Sequence, residues 1–534
     1  MTTRRSFLAA VGGGCALAAR SAAQSAAGET RQLFWTVETT SGKVQGIAAT
    51  GIKEFKGIPY GAPTGGKNRY MPPHKPASWT GVRECFGHGQ ICPQTLPNLA
   101  SDYSMMIQWD LHVGGMGEDC LSLNVWTPGV NDGGKRAVLV SFHGGGFATG
   151  SGNGPGYDGA QLARFGDVVV VTVNHRLASF GYLHLADLGA PPEFAQAGVA
   201  GMMDLVASLA WVRDNIEKFG GDPGRVMIFG QSGGGAKTST MLAMPSAKGL
   251  FHRAGVQSGS TIRAATREQA TRSAEALLAK LGIARGSIAD LQKLPWQQIL
   301  EAQASLGGGA GFSPVVDGTV LPHHPFEPAA PPESTSVPMI ISTTLEDGAL
   351  SLTNFDLDEA GLKAMMNDRY GAKAEQMLTL YRSRYPNKSP FLIEAQIATD
   401  AGFRRSAILQ AVRKSALGKA PAYMYLWAFE SIGFGGKFGA VHGTDVSASF
   451  NNYRDGIGGI GSKHERALWD RFAATWVSFA KTGDPNNAKI PAWPAYDADK
   501  RATMVFDNET RVENDPRSEI RKFWEQMPVA AGRG

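Results

Sequence analysis

The chain has 534 residues, of which 43% are hydrophobic and 19% charged, a composition typical of a folded globular protein rather than a disordered one. It has 52 lysines and arginines and 47 acidic residues, and its basic residues form no run, which argues against nucleic acid as a partner. Beyond the N-terminus no apolar stretch approaches the roughly 18 residues of a membrane span, so the body of the protein is expected to be soluble.

The N-terminus has the pattern of an export signal. Arg4 and Arg5 precede a weakly apolar run at residues 9–19, and small residues follow up to Gln24. A charged start, an apolar middle and a small-residue exit are typical of a secretory signal, and the arginine pair favours the twin-arginine route. We expect residues 1–24 to be removed from a bacterial periplasmic or secreted protein that has no stable membrane insertion. The alternative is a disordered basic tail.

Short β-branched runs alternate with helical patterns along the rest of the chain. Residues 138–142, 168–173 and 226–229 are mainly apolar and predict buried strands, while residues 202–219 predict a helix. Strands that are mainly apolar and separated by helices indicate a mostly parallel sheet covered on both faces. The predicted fold class is therefore α/β.

The second half of the chain continues this alternation. Residues 339–342 and 423–429 predict further strands, and residues 273–281 and 464–481 have apolar positions at helical spacing. A proline-rich stretch at residues 322–332 predicts a surface connection rather than a domain boundary. We therefore expect residues 25–534 to form one catalytic domain with insertions.

The third predicted strand runs into the most informative motif, Gly230-Gln-Ser232-Gly-Gly234. A serine at a sharp turn between strand and helix holds its hydroxyl out of the sheet, where a histidine can reach it. Side chains two residues on either side would collide, which explains the glycines at 230 and 234. The pattern predicts that Ser232 is a nucleophile and that the helix after it directs N–H groups toward developing negative charge.

A second glycine motif, His143-Gly144-Gly145-Gly146-Phe147, follows the first predicted strand. Consecutive glycines let backbone N–H groups approach a substrate oxygen without hindrance from side chains. We expect the N–H groups of Gly145, Gly146 and Gly233 to form an oxyanion hole. A phosphate-binding loop is the alternative, but no Lys-Ser/Thr pair follows and the Gly-x-Gly-x-x-Gly spacing is absent.

Motifs along the chain resemble the type B carboxylesterase family, which includes cholinesterases and bacterial aryl esterases. The resemblance extends from about residue 36 to about residue 500. It implies an α/β-hydrolase fold and a serine ester hydrolase, here similar to bacterial para-nitrobenzyl esterases. The matching stretches, in chain order, are Phe55-Lys-Gly-Ile-Pro-Tyr60, Glu118-Asp-Cys-Leu-Ser-Leu-Asn-Val125, Phe219-Gly-Gly-Asp-Pro223, Phe251-His-Arg-Ala254, Gln257-Ser-Gly259, Pro314-Val-Val-Asp-Gly318 and Phe479-Ala-Lys-Thr-Gly-Asp-Pro-Asn486.

The resemblance also implies the other members of a catalytic triad. The family carries its histidine in a His-Gly-x-acid context, which points to His442 as the general base. Its acid usually lies in an Asp-Glu-Gly triplet, whereas this chain has Glu346-Asp347-Gly348 in swapped order. Alignment on the glycine makes Asp347 the triad acid, with Glu346 as the alternative. Either carboxylate can hold the imidazole in the required tautomer.

Two departures from the family concern the substrate. The family commonly has Glu before the nucleophile and Ala after it, whereas this chain has Gln231 and Gly233. Without that carboxylate the site has less attraction for cationic alcohols. The resemblance, together with this change, therefore predicts that the substrates are neutral esters. Substrate contacts are expected from Gln231, Phe147 and Trp109, the last near the cation-binding aromatic of cholinesterases. Ordinary packing is the alternative for Trp109.

Three cysteines remain after the signal, and an oxidising compartment permits one disulfide among them. The resemblance implies that Cys92 pairs with Cys120 and that Cys85 stays free, although three reduced thiols are the alternative. The cysteines fit no metal site, and ester hydrolysis by a triad needs no metal and no cofactor. The expected partner is a small-molecule ester, with the oligomeric state left open. The same triad on an amide, carbamate or lactone is an alternative, as is a non-catalytic binding protein.

Overall fold

The computed structural model describes residues 32–97, 101–107, 113–307, 309, 311–452 and 463–528. Within these residues one sheet of 13 strands runs through the molecule, in the order β1-β2-β3-β5-β7-β6-β8-β9-β10-β11-β12-β13, with β4 beside β2. The strands are β1 Phe34–Thr39, β2 Gly42–Ala49, β3 Ile52–Pro59, β4 Val82–Glu84, β5 Ser122–Thr127, β6 Arg136–Phe142, β7 Val169–Val173, β8 Gly221–Gln231, β9 Arg253–Gln257, β10 Met339–Thr344, β11 Ala422–Trp427, β12 Ala502–Phe506 and β13 Arg511–Asn514.

The centre of the sheet is parallel, and its margins are antiparallel except for the short β2–β4 pair. Every neighbouring pair from β7 through β6, β8, β9, β10 and β11 to β12 is parallel. The pairs β1–β2, β2–β3, β3–β5 and β5–β7 are antiparallel, as is the β12–β13 pair. Parallel strands present their carboxyl ends at the same edge, so the loops after β6, β8, β10 and β11 meet there.

The predicted α/β-hydrolase architecture is confirmed by this sheet and by the helices on its faces. All five residues of β7 are buried, as are all six of β10 and all six of β11, as expected for strands covered on both sides. The α-helices are Asp102–Met106, Ala160–Gly166, Ala178–Tyr182, Ala200–Asn215, Gly233–Met241, Arg267–Leu281, Trp296–Ala304, Glu359–Tyr370, Ala374–Arg384, Pro390–Thr399, Arg405–Ala416, Thr444–Ser449, Lys463–Thr482 and Ser518–Glu525.

One helical segment, Pro192–Phe219, is long and apolar enough to cross a membrane, but 67% of its most apolar window is buried inside the protein. It contains the helix Ala200–Asn215, whose Leu205, Leu209 and Val212 are fully buried in the largest apolar cluster. Such burial is typical of a helix that covers a sheet.

A helical insertion separates β10 from β11. Its four α-helices lie between residues 359 and 416, and a π-helical turn, Asp400–Arg404, joins the last two. The ring of Phe403 in this turn lies 5.2 Å from the ring of His442. The insertion therefore contributes a wall to the carboxyl edge of the sheet, where the predicted site residues lie.

Candidate active site

Ser232 occupies the turn between β8 and the helix Gly233–Met241, which we call the nucleophile helix. Its backbone is at φ 57° and ψ −123°, a conformation that residues with side chains rarely adopt. A Cβ on Gly230 would lie 2.4 Å from Phe142 O and 2.7 Å from Gly234 Cα. The turn is thus as tight as the motif predicted, and it requires glycine at position 230.

The oxyanion loop, residues 143–146, lies directly beside Ser232. A Cβ on Gly144 would lie 3.7 Å from Ser232 Cβ, and Gly145 and Gly146 both have positive φ, at 81° and 63°. Gly145 O accepts a hydrogen bond from Thr149 N at 3.0 Å. Because the carbonyl and the N–H of a trans peptide point in opposite directions, the N–H of Gly146 faces away from Thr149.

Gly233 is packed against the same loop. A Cβ at this position would lie 2.2 Å from Gly146 O and 2.3 Å from Gly146 N, closer than any real Cβ contact. The N–H groups of Gly145, Gly146 and Gly233 donate to no acceptor in the described part of the chain. Three unused donors therefore lie close together near the serine, which is the donor arrangement that an oxyanion hole needs.

Asp347 and His442 form a buried pair. Asp347 Oδ1 lies 2.6 Å from His442 Nδ1, and the two residues are 0% and 4% exposed. Asp347 Oδ2 accepts hydrogen bonds from Ser258 Oγ at 3.0 Å and from the Thr344 backbone N–H at 2.9 Å. An ionised Asp347 accepts a hydrogen bond from the Nδ1–H group of neutral His442, which leaves Nε2 with a lone pair that can take a proton.

Glu346, the alternative acid, contacts other groups. Its carboxylate accepts from Lys388 Nζ and from Gln396 Nε2, both at 2.8 Å, and from the backbone N–H of Ala440 at 2.8 Å. Its own backbone N–H donates to Ala440 O at 3.0 Å. Glu346 therefore connects the loop that carries His442 to the loop that carries Asp347. Of the two acids, only Asp347 hydrogen-bonds the imidazole.

A short segment after β9 connects the serine to the acid. Gln257 O accepts from the backbone N–H of Ser232 at 2.7 Å, and the next residue, Ser258, donates its hydroxyl to Asp347. Ser258 is 3% exposed and has φ 47°. The Gln257-Ser-Gly259 motif marked the position of Ser258, but nothing in the sequence predicted its hydrogen bond to the acid.

A second buried carboxylate, Asp445, lies three residues after His442. Tyr425 donates its hydroxyl to Asp445 Oδ2 at 2.6 Å, and Gln257 Nε2 donates to the same tyrosine oxygen at 3.0 Å. Burial and the nearby charge of Asp347 raise the pKa of Asp445 to about 6, against an ordinary value of 3.8. The motif around His442 contained Asp445 but did not indicate its burial.

The residues predicted to contact substrate have different surroundings. Gln231 is 5% exposed, and its Nε2 has no hydrogen-bond partner among the described residues. Phe147 is half-buried, with its ring centroid 5.4 Å from that of Tyr182 in an edge-to-face contact. Trp109 lies outside the described residues. Substrate contact by these three remains a prediction.

The disulfide expected between Cys92 and Cys120 is not present. Both residues are buried free thiols, and Cys85 is a third. Cys92 Sγ accepts from the Leu177 backbone N–H at 3.2 Å. A hydrogen bond with Cys92 and burial raise the pKa of Cys120 well above its usual range, which keeps this thiol protonated. Cys92 and Cys120 are therefore two buried thiols and not a disulfide. Over the described ranges no three His, Cys, Asp or Glu side chains cluster as metal ligands would.

Comparison with known proteins identifies the family of the chain. The model of the carboxylesterase family matches residues 35–524, which is nearly the whole described chain. The chain belongs to the carboxylesterase family. This carboxylesterase is accordingly a carboxylic ester hydrolase with the α/β-hydrolase fold, as the sequence motifs predicted.

Individual relatives are similar over almost their full length. The para-nitrobenzyl esterase of Bacillus subtilis is 34% identical, over 91% of this chain and 97% of that protein. The phenmedipham hydrolase of Pseudarthrobacter oxydans is 30% identical, over 88% of this chain and 94% of that protein. The crystal structure of a carboxylesterase from Geobacillus stearothermophilus superposes with a TM-score of 0.78 at 36% identity, covering 92% of this chain and 99% of that one.

Proposed function

We propose that this carboxylesterase hydrolyses neutral esters through an acyl-enzyme on Ser232. The observation that carries the proposal is the buried Asp347–His442 hydrogen bond at 2.6 Å, at the same edge of the sheet as the strained Ser232 turn. His442 Nε2 takes the Ser232 hydroxyl proton while the serine oxygen attacks the ester carbonyl carbon. The N–H groups of Gly145, Gly146 and Gly233 hold the negative carbonyl oxygen of the resulting tetrahedral intermediate.

The intermediate collapses when the bond to the alcohol oxygen breaks. Protonated His442 gives its proton to that oxygen, and the alcohol leaves. Water then attacks the acyl carbon while His442 takes a proton from it, and the second intermediate releases the carboxylic acid and restores the Ser232 hydroxyl. Asp347 holds the imidazole tautomer and stabilises the imidazolium in both steps.

The preference for neutral alcohols rests on Gln231. An amide at this buried position carries no charge, so it offers no ion pair to a quaternary ammonium group. Its Nε2 is buried and has no hydrogen-bond partner among the described residues. The 34% identical relative is named for a neutral aromatic ester, which supports the same substrate class.

The test is hydrolysis of a short-to-long series of p-nitrophenyl and p-nitrobenzyl acyl esters by wild type and by Ser232→Ala. We expect turnover that disappears in the variant, and the chain-length profile measures the acyl pocket. Acetylcholine and its uncharged carbon isostere form a matched pair for the charge preference, and the isostere should have the higher kcat/KM. Turnover that survives in Ser232→Ala would contradict the proposed nucleophile. Cleavage of amides, carbamates or lactones, but not of simple esters, would show that the triad acts on one of those bonds instead.

We also propose that residues 1–24 direct export by the twin-arginine route, so that the mature enzyme is periplasmic or secreted. The proposal rests on Arg4 and Arg5, the apolar run and the small-residue exit. Mass spectrometry of the N-terminus in the periplasmic fraction tests it, with a double Arg4→Lys, Arg5→Lys variant as the comparison. The variant should stay in the cytoplasm, and equal export of both forms would contradict the proposed route.

A further inference from the structure

A lysine is buried behind the oxyanion loop. Lys237 lies in the nucleophile helix, five residues after Ser232, and is 0% exposed. Buried lysines are rare unless a carboxylate pairs with them, because removal of an ammonium group from water is costly. Lys237 forms no salt bridge to any carboxylate among the residues that the structure describes. Burial holds its pKa well below the usual value.

Among the described residues, the amine of Lys237 bonds only to the oxyanion loop. Its Nζ donates to His143 O at 2.8 Å and to Gly144 O at 3.4 Å. Gly144 O lies in addition 2.9 Å from His143 Nδ1, and this nitrogen must be the donor because a carbonyl oxygen only accepts. The lysine thus joins the nucleophile helix to the loop that faces it across Ser232.

The peptide between Gly144 and Gly145 links this contact to the reaction. A trans peptide points its carbonyl and its N–H in opposite directions. Two donors, His143 Nδ1 and Lys237 Nζ, hold Gly144 O on the buried side, so the N–H of Gly145 is directed to the other side. That N–H has no acceptor in the described part of the chain, and its loop lies against Ser232.

We infer that Lys237 is a positioning residue for the oxyanion hole, which it orients by binding the carbonyl groups of His143 and Gly144. The inference rests on the proposed function, since it assigns the Gly145 N–H to the oxyanion. A donor at the carbonyl end of a peptide also polarises that peptide and strengthens its N–H as a donor. Both the ammonium and the neutral amine of lysine can donate, so the orientation holds in either protonation state.

A second buried lysine in the same chain provides a matched control. Lys414 in the helix Arg405–Ala416 is also 0% exposed, and its Nζ donates to the backbone carbonyl of Ser334. Burial lowers the pKa of Lys414 to about 8. This hydrogen bond does not involve the oxyanion loop. Methionine is similar in length to lysine but has no amine, so either replacement removes one buried amine. Only the amine of Lys237 contacts the oxyanion loop.

The test compares Lys237→Met with Lys414→Met by kcat and KM on p-nitrophenyl acetate. We expect both variants to have a lower Tm than wild type. In Lys237→Met kcat should fall by about 10- to 100-fold, in line with misplacement or loss of an oxyanion donor, while KM changes less than about threefold. In Lys414→Met kcat should stay at the wild-type value. A purely structural role of Lys237 would lower the Tm and leave kcat per folded molecule unchanged.

A trifluoromethyl ketone gives a second readout, because it adds to the serine as a hemiketal whose oxyanion occupies the hole. Its affinity should fall in Lys237→Met in parallel with kcat/KM, while the affinity of the matching methyl ketone stays the same. Lys237→Gln keeps a shorter, neutral donor and should fall between wild type and Lys237→Met in both readouts.

The inference would be overturned if a folded Lys237 variant kept both the wild-type kcat and the wild-type affinity for the trifluoromethyl ketone. It would also be overturned if Lys414→Met lost as much kcat as Lys237→Met. Ser232→Ala separates this result from failure of the proposed function. If Ser232→Ala keeps turnover, the nucleophile is wrong. If Ser232→Ala is inactive and Lys237→Met is fully active, only the role of Lys237 is wrong.

Discussion

Asp347 and His442 share a 2.6 Å hydrogen bond in a region closed to solvent, although they come from loops after two different strands. Burial strengthens the electrostatic attraction between a carboxylate and an imidazolium, so this pair is well placed to stabilise the charge that appears when His442 takes a proton. The adjacent Glu346 is equally buried and faces Lys388 instead. Of these two neighbouring carboxylates, Asp347 therefore binds the imidazole and Glu346 binds the lysine.

Asp347→Asn should abolish most of the activity. The amide keeps the size of the side chain but favours the wrong imidazole tautomer, and a loss of kcat on the order of 10⁴ is expected. Steady-state kinetics at saturating ester measure the loss, and circular dichroism checks that the variant is folded. A variant that keeps more than about a tenth of wild-type kcat would contradict Asp347 as the triad acid.

Glu346→Gln is the matched control for that variant. The change removes the charge that faces Lys388, which still pairs with Glu430 at 2.8 Å. We expect the free energy of unfolding to fall by about 1–3 kcal/mol, less than for a fully unpaired buried charge. Urea unfolding measures this change, and kcat of the folded protein should stay within about tenfold of wild type. A loss of kcat as large as that of Asp347→Asn would indicate that Glu346 takes part in the chemistry.

Gly233→Ala should damage the oxyanion hole even though many members of the family carry alanine after the nucleophile. Its Cβ would overlap the backbone of Gly146, so the loop has to move away from Ser232. We expect kcat to fall by about 10²-fold on p-nitrophenyl acetate. Gly286→Ala is the control, because a Cβ there meets nothing within 4 Å. Wild-type kcat in Gly233→Ala would contradict the close packing of the two segments.

Asp445→Asn should stabilise the protein in a pH-dependent way. The pKa of Asp445 is raised to about 6, so the folded state binds its proton more tightly than the unfolded state does. Stability is therefore lost as the pH rises from 3.8 through about 6, by roughly 3 kcal/mol in total. Asparagine still accepts from Tyr425 without this loss. The Tm of the variant should exceed that of wild type at pH 8 and equal it near pH 4, and an equal difference at both pH values would contradict the shift.

The central sheet could be predicted from the sequence because its strands contain continuous, mainly apolar runs. The predicted strand at residues 138–142 lies within β6, that at 226–229 lies within β8, and that at 339–342 lies within β10. The antiparallel strands at the margin were not predicted. β1 and β2 have mixed burial and carry polar residues on their open side, so no continuous apolar run marks them.

The site was predictable where a motif fixes local geometry and unpredictable where distant segments meet. Gly230 and Ser232 form a turn whose shape follows from adjacent residues. The choice of Asp347 over Glu346 depends on which carboxylate reaches His442, 95 positions away, and the resemblance alone left both open. Lys237 had no signal in the sequence, since a lysine in a helix is usually solvated and only the fold reveals its burial.

Covalent labelling is the most direct test of Ser232 as the nucleophile. The enzyme is incubated with an aryl fluorophosphonate, digested and analysed by mass spectrometry, with Asp347→Asn treated in parallel. We expect one adduct per chain, located on Ser232, formed in step with loss of esterase activity and much more slowly in Asp347→Asn. Loss of activity with the adduct on another residue, or full activity with Ser232 modified, would contradict Ser232 as the nucleophile.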